Sequence, residues 1–169
     1  MTGVQTCALP IFASERDFRR AATVRTDGAG RLAYAVPPGP SRTVRFAFGG
    51  DDLLLPASRD VHVLVPAGVS LRANRALVRN GRTVFFRGRL LGRPWPGAGR
   101  TVDLQAHYRG AWRTFATPRA DRHGRFLQAY RFGATVGRVV YRFRALAKRD
   151  AAYPYDAGAS PTVRVTVVG

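Results

Sequence analysis

Apolar and polar residues alternate along this chain with a period of two, and no stretch carries the 3.6-residue period of a helix, so the elements it predicts are strands. In the first part of the chain the pattern predicts strands at residues 23–26, 32–36, 43–48 and 61–65. Pro37, Pro38, Gly39 and Pro40 make a hard break before the third of these, and residues 49–56 form a loop whose Leu53, Leu54 and Leu55 are expected to plug the open end of a core. Farther on, the pattern predicts seven strands, at residues 69–73, 83–90, 101–108, 111–118, 127–132, 139–147 and 162–168. Asn80-Gly81 and Arg109-Gly110 supply turns between them, and Pro94 and Pro96 keep residues 91–99 out of any ladder.

The two halves repeat one another. In residues 23–36 and again in 117–132 an Asp (Asp27, Asp121) is followed by Gly (Gly30, Gly124), Arg (Arg31, Arg125) and a large apolar residue (Leu32, Phe126). Asp accepts hydrogen bonds from the backbone just after it and Gly supplies positive φ, so each copy reads as the reversal between two extended segments. An aromatic strand, a Pro-containing loop, an Ala-Ser pair (Ala57-Ser58, Ala159-Ser160) and a closing strand follow in both, with Val61, Val63 and Val65 answering Val163, Val165 and Val167. A period this long, carried by strands, means tandem β modules. Residues 12–66 then hold the C-terminal half of one sandwich and residues 67–169 a whole one, since an immunoglobulin-type sandwich takes about seven strands in about 100 residues. The joint around Pro66 and Gly68 is short, so a semi-rigid, end-to-end linkage is expected.

From Asn80-Gly81, Gly110-Ala111-Trp112, Asp121-x-x-Gly124-Arg125-Phe126 and Ala159-Ser160, residues 69–169 resemble the bacterial immunoglobulin-like and transthyretin-like β-sandwich repeats of secreted and surface proteins. The resemblance implies an all-β, antiparallel, immunoglobulin-like β-sandwich, extracellular or at the cell surface, acting as a spacer, stalk or adhesive unit. Its partners are then neighbouring domains of the same polypeptide, with no catalytic site and no cofactor carried over. Trp112 departs from the immunoglobulin pattern in having no cysteine pair to pack on; as an apolar position of that pattern it is expected, with Phe126, in the core.

Charge adds a competing picture. Lys and Arg number 28 against 10 acidic residues, a net charge of +18, which points toward polyanions. Lys148 is the only lysine, however, and Arg, Ala, Gly, Val and Pro all have GC-rich codons, so a high-GC bacterial genome accounts for much of the excess. Cys7, the sole cysteine, excludes an intrachain disulfide. It sits in residues 2–11, TGVQTCALPI, which resemble residue by residue the in-frame translation of a common sequencing adapter. On that reading residues 1–11 are an artefact to be set apart from the fold, making no integral contribution to either core, and residues 12–22 are a charged lead-in. No stretch approaches the roughly 20 apolar residues of a membrane span.

Candidate chemistry is sparse. His62 and His107 alternate with apolar neighbours on strands and are expected to face solvent, while His123 lies in the turn beside Asp121. The matching residue of the first copy is Ala29, which argues against a catalytic pair. Turn formation explains Asp27 and Asp121, and calcium wants six to eight oxygens. No metal site, no phosphate-cradling loop and no nucleophile motif is present. The binding candidates are Arg131, Arg138, Arg142, Arg144 and Arg164, expected on one outward face, and the loop aromatics Trp95, Tyr153 and Tyr155. Arginine pairs with phosphate, sulfate or carboxylate and aromatics stack on sugars, so the alternative to a spacer is a module for cell-wall or extracellular polyanions or glycans, without specific nucleic-acid recognition.

Overall fold

The computed structural model describes residues 18–169 and, as backbone, residues 3–10; Ile11 and the charged residues of the lead-in through Asp17 lie outside the described residues. The chain is all-β and divides into two compact units, Met1–Val65 and Pro66–Gly169.

In the first unit β1 (Gly3–Pro10), β2 (Arg19–Arg25), β3 (Arg42–Phe48) and β4 (Ala57–Val63) form one antiparallel sheet in the order β2-β1-β3-β4. The segment set apart by its adapter resemblance is thus a strand between two others, with Gly3 opposite Arg25 and Gln5 opposite Ala47. Residues 32–36, expected as a strand, form none. Their counterpart in the second unit is hydrogen-bonded to a strand that no described element of the first unit replaces, and an extended segment without a ladder partner leaves its backbone to water. The closing strand starts earlier than expected, at Ala57, and pairs Val61 with Val44. Leu53, Leu54 and Leu55 plug nothing: they are 93%, 60% and 87% exposed. Asp51 Oδ1 accepts the amides of Leu53 (3.0 Å) and Leu54 (2.8 Å), folding the loop into a tight turn that throws the leucines outward.

The second unit is a sandwich. One sheet consists of β5 (Val69–Ala73), β7 (Thr83–Leu90) and β12 (Arg125–Arg131), in the order β12-β7-β5. The facing sheet runs β10-β9-β13-β15-β6, from β6 (Leu77–Arg79), β9 (Asp103–Tyr108), β10 (Ala111–Ala116), β13 (Arg138–Ala147) and β15 (Val163–Val168). Short β8 (Arg100–Thr101) pairs with β11 (Arg119–Ala120), and β14 (Gly158–Ala159) with the end of β13. Neighbours are antiparallel except β6, which runs parallel to β15 through Leu77↔Thr166, Val78↔Val167 and Arg79↔Val168. Of the seven main strands, the first, second and fifth form one sheet and the third, fourth, sixth and seventh the other, an immunoglobulin-like arrangement. The short strands β6, β8, β11 and β14 escape the alternation test because two or three residues define no period.

The inward side chains of the two sheets meet in one core. Val84, Phe86, Leu90, Leu104, Phe143, Ala145, Val165 and Val167 are all at most 2% exposed, and the Phe86 ring lies 4.7 Å from Phe143 and 6.0 Å from Phe115. Trp112 is not part of it. Its position on β10 faces outward, where its ring meets His107 edge-on at 5.2 Å.

The repeat is visible at atomic detail. In both units the amide and carbonyl of the Asp bond those of neighbouring turn residues: Asp27 N to Arg31 O at 2.8 Å and Gly30 N to Asp27 O at 3.0 Å, against 2.8 and 2.9 Å for Asp121, Arg125 and Gly124. Gly30 and Gly124 take φ of 75° and 74°, where a side chain would be strained. The likeness reaches farther upstream than the Asp turns. Phe18 and Trp112 each stand nine residues before the Asp, and each carries an arginine from the aromatic strand over its ring, Arg45 at 4.0 Å and Arg144 at 4.4 Å.

Candidate functional site

Strand alternation puts Arg138, Arg142 and Arg144 on the outward side of β13, since Tyr141, Phe143, Ala145 and Ala147 point inward. On β15 the same rule sends Val165 and Val167 inward and Arg164 outward. Arg142 and Arg164 are register partners, so two exposed guanidinium groups face each other across the ladder, a pairing that costs stability unless an anion joins them. Arg144 is already occupied: its Nε donates to Gln105 Oε1 at 2.8 Å and its plane covers Trp112. These four do share one face. Arg131 does not, because β12 belongs to the other sheet; it lies instead beside Arg75, Arg79 and Arg82. The sequence reading passed over those three, although their spacing around the Asn80-Gly81 turn was a signal.

The loop aromatics are structural supports. Tyr153 is 0% exposed, so no sugar can reach its ring. Its hydroxyl donates to the Gly92 carbonyl at 3.2 Å, the Tyr155 hydroxyl donates to that of Arg93 at 2.8 Å, and the two rings pack 4.8 Å apart. Burial raises the Tyr153 pKa, with the neighbouring Tyr155 adding to it against the pull of Arg100. Trp95 is half-buried against the core, with Arg89 and Arg93 over its ring at 5.0 and 4.7 Å. Arg100, 5% exposed, lies over the Tyr153 ring and 3.8 Å from Asp150; burial lowers its pKa more than Asp150 raises it.

The histidines and aspartates are bound into the framework. His62 Nδ1 lies 3.0 Å from Thr43 Oγ1, and His107 packs half-buried on Trp112. Asp121 Oδ1 accepts the amides of Arg125 (2.9 Å) and His123 (2.8 Å), and these bonds, Arg125 first, hold its carboxyl below the ordinary value of 3.8. Asp27 Oδ1 accepts the amides of Arg31 and Ala29, each at 2.9 Å. Among the described residues no group of three or more His, Cys, Asp or Glu is placed to hold a metal ion.

A pH dependence follows from Asp121. Its folded pKa lies below its unfolded one, so the turn's contribution is full above the unfolded value and fades as pH falls through the folded value. Melting temperatures of the chain and of Asp121→Asn, compared from about pH 6 to about pH 2, should differ most near neutrality and converge in acid. A gap that stays constant throughout would show that the carboxylate charge does not support the turn.

No family model and no curated protein matches the chain. Among solved structures it is similar to the fibronectin(III)-like modules of Clostridium thermocellum CbhA, at 13% identity over 97% of this chain and 76% of that one, with a TM-score of 0.39. Among the described residues no helix is long and apolar enough to cross a membrane.

Proposed function

We propose that the chain is a non-catalytic spacer or accessory immunoglobulin-like repeat of a larger secreted or cell-surface bacterial protein, and that its partners are the neighbouring domains of that polypeptide. One observation carries this reading. Both units build the same Asp turn with the same hydrogen bonds, and the chemistry-bearing side chains around it serve that framework and converge on no common point. A repeated unit whose polar groups serve its own turns suits a part that sets distance between other parts.

The test is an exchange. In the longer polypeptide obtained by extending the reading frame, residues 66–169 are replaced by an unrelated β-sandwich of similar length. The neighbouring domain's activity and surface display should be unchanged. Loss of either, with the neighbour still folded, would reject the spacer role.

A second reading rests on the Arg142–Arg164 pair and makes the face of β13 and β15 a polyanion contact. Arg142 and Arg144 lie about 7 Å apart at about 3.3 Å per residue, along the outward side of β13. Binding there is expected to be weak and to fall steeply between low and physiological salt.

A further inference from the structure

The second unit carries a concave basic site at one end of its sandwich, where Arg75, Arg79, Arg82 and Arg131 ring a cleft of 1070 Å³. We propose that this cleft binds a flexible, ring-free oxyanion chain, of which inorganic polyphosphate is the simplest example. The cleft adjoins the outward face of β13 and β15 at Val168, the register partner of Arg138, but neither Arg142 nor Arg164 lines it, and it does not depend on the spacer reading.

Three features point there. First, no carboxylate lines the cleft, and among the described residues Arg75, Arg79 and Arg82 form no ion pair. By contrast Arg45 forks onto Asp60 at 2.7 and 2.8 Å, and Arg100 approaches Asp150 at 3.8 Å. Four like charges held together cost stability through mutual repulsion, and a bound anion would remove that cost.

Second, the backbone that carries them is fixed. The carbonyl of Ala76 accepts the Thr166 amide at 2.7 Å, the amide of Asn80 donates to Val168 O at 2.7 Å, and that of Gly81 to Phe132 O at 2.6 Å. Asn80 Oδ1 accepts the Thr135 amide at 3.3 Å, and Arg131 Nε donates to Gly81 O at 2.9 Å. That last bond leaves the two terminal nitrogens of Arg131 to reach a ligand. Less ordering is then required on binding than for arginines on a loose loop.

Third, the size and lining choose the ligand. Ligand clefts run to about 1,000 Å³, so this one has room for several anionic groups in a row, well beyond one phosphate ion. Its other lining residues are Leu77, Val78, Gly81, Thr83 and Val168. With no aromatic ring among them there is no platform for bases or sugar faces to stack on, which favours a chain recognised through its oxyanions alone.

The experiment measures binding of the full chain to labelled polyphosphate by fluorescence anisotropy at low and physiological salt. Heparin and single-stranded DNA of matched charge serve as comparison ligands. Arg79→Ser with Arg82→Ser should weaken polyphosphate binding about tenfold or more at physiological salt and lower the salt slope by about 2, one for each phosphate contact. Arg142→Ser with Arg164→Ser removes the same charge and should weaken it less than about threefold. Arg75→Ser alone should lie between, and circular dichroism melts should show all variants folded. Equal losses in the two double variants would reduce the cleft to general charge and overturn the proposal. So would tighter binding of heparin or DNA than of polyphosphate, or no binding of polyphosphate at low salt.

Discussion

Truncating Phe86 to alanine is expected to destabilise the second unit by about 3–5 kcal/mol. Its side chain is 0% exposed and joins the two sheets, packing on Phe115 from β10 and Phe143 from β13. The facing sheets cannot close over the void without breaking ladder registers on both sides. Phe126→Ala belongs in the same range: the ring is 5% exposed and occupies the space that a side chain at Gly88 would fill. Gly88→Ala is therefore destabilising as well, since its Cβ would run into the Phe126 ring and the Ser70 carbonyl. Trp112→Ala should cost only about 1 kcal/mol, the loss of a half-buried ring and its contact with Arg144. Urea unfolding of residues 66–169, with unchanged m values, checks the order. A Trp112 loss as large as that of Phe86 would show that the outer face shares the stability of the core.

Deleting residues 1–11 should unfold the first unit and leave the second untouched. β1 is the only described partner of β2 and the inner partner of β3. Without it, β3 and β4 remain as a lone two-stranded hairpin, which is marginal in water. Amide spectra should lose the dispersed signals of residues 18–65 and keep those of residues 66–169. The adapter resemblance sharpens the experiment. A first unit that stayed folded after the deletion would show that β1 pairs with a sheet able to stand alone, and that residues 12–66 hold a complete fold.

The seven main strands of the second unit were legible because each spans at least five residues, enough for a period of two to register, and each is bounded by Gly, Pro or an Asp turn. Residues 32–36 misled for the opposite reason. Large Leu32, Tyr34 and Val36 alternate with Ala33 and Ala35, but a strand also needs a partner, and pairing is not a property of the segment itself. Trp112 was misplaced because large aromatics are usually core, whereas parity on β10 sends this one outward. The coincidence of Arg138, Arg142, Arg144 and Arg164 was readable from parity along β13 and β15. Arg131 was not, since which sheet receives β12 is decided by its register with β7. The exposure of Leu53, Leu54 and Leu55 was hidden in Asp51, whose side chain turns the loop before the leucines can reach a core.

The parallel register of β6 with β15 has a consequence for a chain pulled from its two ends. β6 lies near the start of the second unit and β15 at its finish, so tension on the termini drags the two strands past each other along their length. The bonds from Thr166 to Ala76 and from Asn80 to Val168 lie across that direction and are strained together, in shear, where a hairpin pulled open would lose its bonds one by one. Nothing beyond this clamp can extend until all of its bonds give way at once. The sandwich then unravels as a whole, releasing about 3.6 Å of length for every residue it held.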